Sequence, residues 1–221
     1  MNIRQSTIKI LIYFSIAGVL FYGVFNLLGK LSPQTQVITQ QEKHHKSRLK
    51  MFESYIKQDW NQVLIGVSHF EYYTPPKEFI NLGIAGDTTT GVLHRLKPLK
   101  IKTVKDFYIL IGINDVLSGY KLSDIKSNYL YIIEELAKRN IENTYLISLP
   151  PVAKELPSSD LINNQVIELN QYLKKLAKDR KIHFIDIYSD LAENGYLNTL
   201  YTTDGLHLNS NGYEIVTKHL N

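Results

Sequence analysis

The chain has 221 residues, 44% of them hydrophobic and 21% charged, with a formal net charge of +4. This length suits one domain or at most two small ones, and the composition is too apolar for intrinsic disorder and too charged for a polytopic membrane protein. The excess of positive charge is small and scattered, so no nucleic-acid partner is expected. The lack of cysteine excludes disulfides, a thiol nucleophile and cysteine-ligated zinc.

The first notable segment is residues 10–29, which are apolar and contain no charged side chain. Twenty helical residues span about 30 Å, the thickness of the hydrocarbon core of a bilayer. A signal peptide has a shorter apolar core of about 7–15 residues and ends in a small-x-small cleavage site, which residues 26–30 do not offer. We therefore expect residues 10–29 to form an uncleaved transmembrane anchor that follows a short polar N-terminus, residues 1–9. Positive charges flank both ends of the anchor and favour neither orientation.

Residues 30–58 are polar and are expected to form a linker or a helical stalk. Apolar residues at helical spacing (Leu49, Phe52 and Ile56) predict a helix over Glu42–Lys57. His44 and His45 are adjacent and do not share a helix face, so a solvated segment is favoured over a metal site. The folded domain is expected to cover residues 59–221.

In this last region, short apolar runs alternate with longer segments of helical periodicity, which is typical of a mainly parallel sheet with helices on both faces. The predicted fold is a three-layer α/β/α sandwich with a five-stranded sheet. The predicted strands are Gln62–Gly66, Glu78–Leu82, Asp106–Ile111, Thr144–Leu149 and His183–Ile187. The predicted helices are Thr88–Leu99, Ser123–Arg139, Ile162–Lys178 and Asn209–Leu220.

Sites in such sheets gather beyond the carboxyl ends of the strands. Four polar segments lie there or near the C-terminus, namely Gly66–His69, Gly83–Thr88, Gly112–Asp115 and Asp204–His207. Together they supply a hydroxyl, backbone donors, a side-chain amide, a carboxylate and an imidazole. Acyl transfer needs these groups, because a serine hydroxyl attacks only when an imidazole takes its proton, and the resulting oxyanion needs N–H donors.

The same residues resemble the SGNH hydrolases, also called the GDSL-like esterases and lipases. Ser68, Gly86, Asn114 and His207 occur in the order of the family's four blocks, and Asp204-x-x-His207 is similar to the last block. The resemblance covers roughly residues 60–221 and implies a flavodoxin-like SGNH hydrolase fold.

The resemblance also implies a role for each residue. Ser68 is then the nucleophile, His207 the general base and Asp204 the residue that orients it. The oxyanion hole is implied to consist of the Ser68 backbone N–H, Gly86 and the side chain of Asn114. No metal or organic cofactor is implied.

In one position the chain departs from the family pattern, since Val67 stands where the first block usually has an aspartate that supports the loop around the nucleophile. Plainer interpretations stay open for single residues: Ser68 as a helix N-cap, and Asn114 with Asp115 as an Asx turn. His69 is expected to point away from the site. Tyr72 and Tyr73 either line the substrate cleft or belong to a rigid loop.

The sequence thus predicts a membrane-anchored serine esterase that hydrolyses carboxylic esters through an acyl-enzyme. The expected substrate is an acylated envelope glycan, such as one with O-acetyl groups, or a lipid ester. The anchor and the habits of the family favour a catalytic domain outside the cytoplasmic membrane. Two alternatives stay open: an O-acyltransferase with the same triad, and a binding module with impaired catalysis.

Overall fold

A computed structural model describes residues 33–55, 60–99 and 103–220. The chain divides into two compact units, one ending at Ser47 and the other starting at Arg48. The predicted anchor, residues 10–29, lies outside the described residues. No helix within the described ranges is both long and apolar enough to cross a membrane.

The unit from Arg48 onward contains a five-stranded sheet in which every pairing is parallel. The spatial order is β2-β1-β3-β4-β5, so β1 lies between the two strands that follow it in sequence. This confirms the predicted parallel α/β sheet. The strands are β1 (Gln62–Gly66), β2 (Phe79–Gly83), β3 (Val104–Leu110), β4 (Ile141–Ile147) and β5 (His183–Ile185).

Helices precede, connect and follow the strands, and a small antiparallel hairpin follows β5. The helices are α1 (Pro33–Tyr55), α2 (Ser68–Glu71), α3 (Thr89–Leu96), α4 (Ile113–Leu117), α5 (Leu122–Ala137), α6 (Ser159–Arg180), α7 (Tyr188–Leu191) and α8 (Ser210–Leu220). The hairpin strands are β6 (Ala192–Glu193) and β7 (Tyr196–Leu197), and a 3₁₀ turn covers Thr199–Tyr201.

Each face of the sheet has its own core, because neighbouring side chains of a strand point to opposite faces. In β1, Val63 and Ile65 belong to the larger core, which α3, α5 and α6 cover, whereas Leu64 belongs to the smaller core beneath α7 and α8. Burial on both faces explains why the strands are almost continuously apolar instead of alternating with polar residues.

The helix expected as a stalk is present, and its C-terminal part belongs to the compact unit that starts at Arg48. Phe52 is only 3% exposed and lies in the larger core, and Leu49 packs against that core. The spacing that predicted a helix there therefore reflects packing against the domain.

The register of the sheet brings the ends of three strands together. Gly66, at the end of β1, pairs with Gly83 of β2 on one side and with Leu110 of β3 on the other. The chain segments that leave these three strands therefore start at the same edge of the sheet, where the sequence predicted the site.

Candidate active site

Ser68 is the first residue of the short helix α2, directly after β1. The N-cap position is occupied by Val67, whose backbone is extended and whose side chain is fully buried in the larger core. Ser68 is therefore not the N-cap of this helix, and its hydroxyl is not used for capping. The side chain of Val67 is apolar and cannot hydrogen-bond to the turn, unlike the aspartate that the family pattern usually has there.

The structure brings Ser68, His207 and Asp204 together, although 139 residues separate the serine from the histidine. The Nε2 atom of His207 lies 3.1 Å from Ser68 Oγ, and its Nδ1 atom lies 2.6 Å from Asp204 Oδ2. Because an ionised carboxylate only accepts hydrogen bonds, Nδ1 carries the proton in the neutral ring and Nε2 has a free lone pair facing the serine hydroxyl. This is the arrangement that proton removal from a serine requires.

The charge of Asp204 is stabilised locally. Its Oδ1 atom accepts hydrogen bonds from the backbone N–H groups of Leu206 and His207, at 2.9 and 2.8 Å. Partial burial acts to raise the pKa of Asp204, but the hydrogen bonds from the His207 ring and the two N–H groups outweigh it and lower the pKa to about 2. Asp204 is therefore ionised at neutral pH and accepts the hydrogen bond from His207 Nδ1.

Residues 202–208, here called the base loop, hold Asp204 and His207 in place. Thr202 and Leu208 form an isolated antiparallel bridge that closes the loop. Inside it, Thr202 Oγ1 donates to the His207 carbonyl at 2.7 Å and accepts from the Gly205 N–H at 2.9 Å. The bridge and these side-chain bonds fix the loop that carries two of the three predicted catalytic groups.

Gly86, one of the three predicted oxyanion residues, lies in the turn of residues 84–87. Asp87 N–H donates to the Ile84 carbonyl, and the third residue of this turn, Gly86, has φ +77°, which is costly for any residue with a Cβ. Among the residues that the structure describes, neither the Ser68 nor the Gly86 N–H donates a backbone hydrogen bond outside regular helices and strands. Both amides are thus available as donors.

Asn114 lies in α4 and donates from Nδ2 to the Asp87 carbonyl at 2.8 Å. This bond ties the α4 turn to the Gly86 turn and leaves the second amide hydrogen of Asn114 for another acceptor. Its neighbour Asp115 is buried and accepts from both the N–H and the hydroxyl of Thr89. Asp115 therefore braces the start of α3.

Several supporting residues were not found from the sequence. Arg95 forms a buried ion pair with Asp87 at 2.7 Å and donates to the Gly66 carbonyl at 2.9 Å. It therefore connects the end of β1 with the Gly86 turn. A basic residue in the last turn of a helix gave no signal for this role, because its partners come from other segments.

A second link joins α1 and α2 to the end of β2. The guanidinium of Arg48 donates twice to the Gly83 carbonyl, and Glu71 Oε2 accepts from the Ala85 N–H at 2.5 Å. A Cβ on Gly83 would lie 2.3 Å from the backbone nitrogen of Glu71. Gly83 is therefore needed for the close approach of α2 to β2.

The aromatic residues after the nucleophile have different surroundings. Tyr73 is buried and stacks on Tyr213, with ring centroids 5.3 Å apart. Tyr72 is 54% exposed. Its ring contacts the His207 ring edge to face, with the centroids 5.2 Å apart. Tyr72 is thus on the rim of the site, while Tyr73 belongs to the core.

The prediction that His69 points away from the site is wrong. It is buried, and its Nε2 atom lies 3.1 Å from the carbonyl oxygen of Leu206 in the base loop. Within residues 33–55, 60–99 and 103–220, no three His, Asp or Glu side chains cluster closely enough to hold a metal ion.

This arrangement agrees with the comparison with known proteins, in which residues 52–215 match the GDSL-like Lipase/Acylhydrolase family. The chain belongs to this family. Membership of this family supports an ester hydrolase or an acyltransferase. The matched region includes Phe52 of α1, in agreement with the packing of that residue in the core.

Many solved structures are similar to the chain, and two examples follow. A protein of Streptococcus pneumonia, whose name refers to platelet activating factor, is 25% identical with a TM-score of 0.77, covering 86% of this chain and 98% of that one. A GDSL-like lipase of Bacteroides thetaiotaomicron is 26% identical with a TM-score of 0.66, covering 78% and 94% of the two chains.

The name of one curated relative refers to neither a lipase nor an esterase. The chain is 32% identical over 205 residues to an N-acylneuraminate cytidylyltransferase of Escherichia coli. The match covers 83% of this chain. The chain spans 47% of the length of that relative, or about half.

Proposed function

We propose that the protein removes O-acyl groups from an acylated carbohydrate of the N-acylneuraminate class, with Ser68 as nucleophile, His207 as general base and Asp204 as its orienting partner. The observation that carries the chemistry is the continuous set of contacts from Ser68 Oγ to His207 Nε2 and from His207 Nδ1 to Asp204 Oδ2.

The reaction begins when Ser68 Oγ attacks the ester carbonyl and His207 Nε2 takes the hydroxyl proton. The carbonyl oxygen becomes an oxyanion, for which the N–H groups of Ser68 and Gly86 and the free amide hydrogen of Asn114 are the proposed donors. The ester C–O bond then breaks, and the alcohol leaves with the proton from His207. Water, deprotonated by His207, releases the acid from the acyl-enzyme and restores Ser68.

Two observations support a carbohydrate as the alcohol part of the ester. The relative from Escherichia coli is named for N-acylneuraminate, and it is 32% identical to this chain over 205 residues. In addition, the site is open, since the side chains of Asp204 and His207 are 51% and 29% exposed. An open site with an exposed tyrosine at its rim suits a polar, bulky substrate better than a lipid chain, which needs an apolar tunnel.

The experiment compares acid release from four esters by the full chain: O-acetylated N-acetylneuraminic acid, acetylated xylan, p-nitrophenyl acetate and p-nitrophenyl palmitate. We expect the highest kcat/KM with the acetylated N-acetylneuraminic acid, and at least a roughly 10³-fold loss in the Ser68→Ala variant. Preference for the palmitate would contradict the carbohydrate proposal and leave the triad intact. Equal activity of wild type and Ser68→Ala would contradict the triad.

A transferase uses the same acyl-enzyme and differs only in the acceptor. The same assay, repeated with an unacetylated glycan in excess, distinguishes the two reactions. Acetate release that is unaffected by the glycan supports hydrolysis, whereas transfer of the acetyl group to the glycan with loss of free acetate identifies an O-acyltransferase.

The enzyme is further proposed to be held at a membrane by residues 10–29, with its catalytic unit on the extracytoplasmic side. The support is the sequence of that segment, which has twenty residues without a charge. Protease treatment of intact cells tests both parts. Cleavage of the catalytic unit, while a cytoplasmic marker stays intact, is expected, and protection of the unit until lysis would contradict the proposed side.

A further inference from the structure

The side chain next to the nucleophile makes a contact that the catalytic steps above do not use. His69 follows Ser68 in α2, is buried, and its Nε2 atom lies 3.1 Å from the Leu206 carbonyl oxygen. Leu206 lies between Asp204 and His207 in the base loop. The contact therefore joins the element that carries the nucleophile to the loop that carries the base, across 137 residues of sequence.

The peptide group between Leu206 and His207 is held at both ends. Its carbonyl faces His69 Nε2, and its N–H, which belongs to His207, donates to Asp204 Oδ1 at 2.8 Å. A planar peptide group with both polar atoms bonded has little freedom to rotate. Because the Cα of His207 is attached to this group, its orientation sets where the imidazole starts and how closely Nε2 approaches Ser68.

The contact also determines the protonation of His69. A carbonyl oxygen only accepts hydrogen bonds, so Nε2 must carry the proton, and Nδ1 is then an unprotonated nitrogen. Nδ1 is buried and has no hydrogen-bond partner in the described part of the chain. Burial first, and the neighbouring His207 second, lower the pKa of His69 to about 4. His69 is therefore neutral, and in one tautomer, at neutral pH.

We propose that His69 is a positioning residue, which fixes the base loop against the nucleophile by donating a hydrogen bond from Nε2 to the Leu206 carbonyl. This inference rests on the proposed roles of Ser68 and His207. His69 is only 2% exposed, so no direct contact with the substrate is expected. Its effect is expected on the proton-transfer step, since a displacement of a catalytic group by about 1 Å can lower a rate by about 100-fold.

Two variants of His69 separate the hydrogen bond from the space that the ring fills. His69→Leu keeps an apolar side chain of similar size but has no donor. In His69→Gln the amide nitrogen lies at nearly the same distance from the backbone as Nε2, so it retains a donor for Leu206. His219→Leu serves as the control histidine, because His219 is in α8 and pairs with Asp190 at a partly exposed position.

The readouts are the number of active sites, measured by titration with a fluorophosphonate, and kcat and KM for p-nitrophenyl acetate per titrated site. For His69→Leu we expect kcat to fall about 10- to 100-fold with KM within about threefold of wild type. His69→Gln is expected to recover most of this loss. His219→Leu is expected to behave like wild type.

The outcomes distinguish this inference from the proposed function. If wild type is neither labelled nor active, the triad proposal fails. If wild type is active and His69→Leu loses activity only in proportion to its lost titratable sites, His69 has a structural role alone and the inference is wrong. Loss of kcat that His69→Gln does not recover would also overturn it, because the donor would then not be the cause.

Discussion

At the scale of single residues, the exposed ring of Tyr72 is well placed to contact the alcohol part of the substrate. It lies beside His207, whose Nε2 atom gives its proton to the leaving alcohol in the proposed mechanism. Its neighbour Tyr73, which the sequence did not distinguish from it, is buried against Tyr213. The difference comes from the turn of the backbone after α2, which two adjacent tyrosines do not show by themselves.

We expect Tyr72→Ala to weaken binding of a sugar ester and to leave a small ester unaffected. Loss of one aromatic contact costs about 1 kcal/mol, or roughly a fivefold rise in KM for O-acetylated N-acetylneuraminic acid. Ethyl acetate, followed in a pH-stat, has no ring to stack on Tyr72, and its kcat/KM is expected to change less than about twofold.

Tyr131→Ala is the matched control, since Tyr131 is also 54% exposed but lies in α5. Its kinetic constants should match those of wild type with both esters. An equal loss for the sugar ester and ethyl acetate in Tyr72→Ala would show that Tyr72 acts on His207 instead of on the sugar, and would refute the binding role.

At the scale of elements, the base loop depends on Thr202. The Thr202 hydroxyl accepts a hydrogen bond from the Gly205 N–H and donates one to the His207 carbonyl, so it connects these two residues of the base loop. Thr202→Val has the same shape but leaves both backbone groups without this partner. An unsatisfied polar group costs about 1–3 kcal/mol when buried, so the variant should unfold several degrees below wild type.

The same change is expected to lower kcat about tenfold with little change in KM, since it loosens His207 and Asp204 without touching the substrate. Thr217→Val is the control, because the Thr217 hydroxyl also makes two hydrogen bonds, to the Tyr213 carbonyl and Tyr73, but lies in α8. It should lose stability and keep its kcat. A normal kcat per folded molecule in Thr202→Val would count against the role of the loop.

The elements that the sequence predicted and those that it missed differ in length and in the range of their contacts. Strand β1 was predicted with its exact ends, because its apolar residues follow a polar segment and the run ends at Gly66. Strand β4 begins at Ile141 instead of Thr144, since its first residues are paired with β3 although they are partly polar. The helices α2, α4 and α7 have four or five residues, too few to show a helical period.

The candidate site likewise contains residues that the sequence predicted and residues that it did not. Ser68, Gly86, Asn114, Asp204 and His207 are in short motifs with fixed spacing, and the structure places Ser68, His207 and Asp204 in contact. The supporting contacts of Arg95, Thr202 and His69 were not predicted. Arg95 and His69 reach backbone carbonyls 29 and 137 residues away, and a backbone carbonyl gives no signal in a sequence. Such contacts become visible only when the chain is folded.

At the scale of the whole molecule, His69 connects the site to the pH dependence of stability. In the unfolded chain its pKa has the ordinary value of 6.5, and in the folded protein it is about 4, because burial and the neighbouring His207 oppose a positive charge there. The negative charge of Asp204 acts to raise the pKa of His69, but it does not outweigh the effects of burial and His207. Between pH 6.5 and pH 4 the unfolded chain therefore binds more protons at this position, and stability rises with pH.

The contribution of His69 is thus fully present above about pH 6.5 and is lost as the pH falls towards 4. A fall in pKa from 6.5 to about 4 corresponds to a change of about 3 kcal/mol in the free energy of unfolding.

The measurement is urea unfolding at several pH values and constant ionic strength, with wild type and His69→Gln side by side. Because glutamine does not titrate, the difference between the two proteins isolates this one group from all other histidines and carboxylates. We expect wild type to lose about 3 kcal/mol more than the variant over this range. Parallel curves for the two proteins would mean that His69 titrates in the folded protein as it does in water, and that its ring is not held in the neutral form that the contact with Leu206 requires.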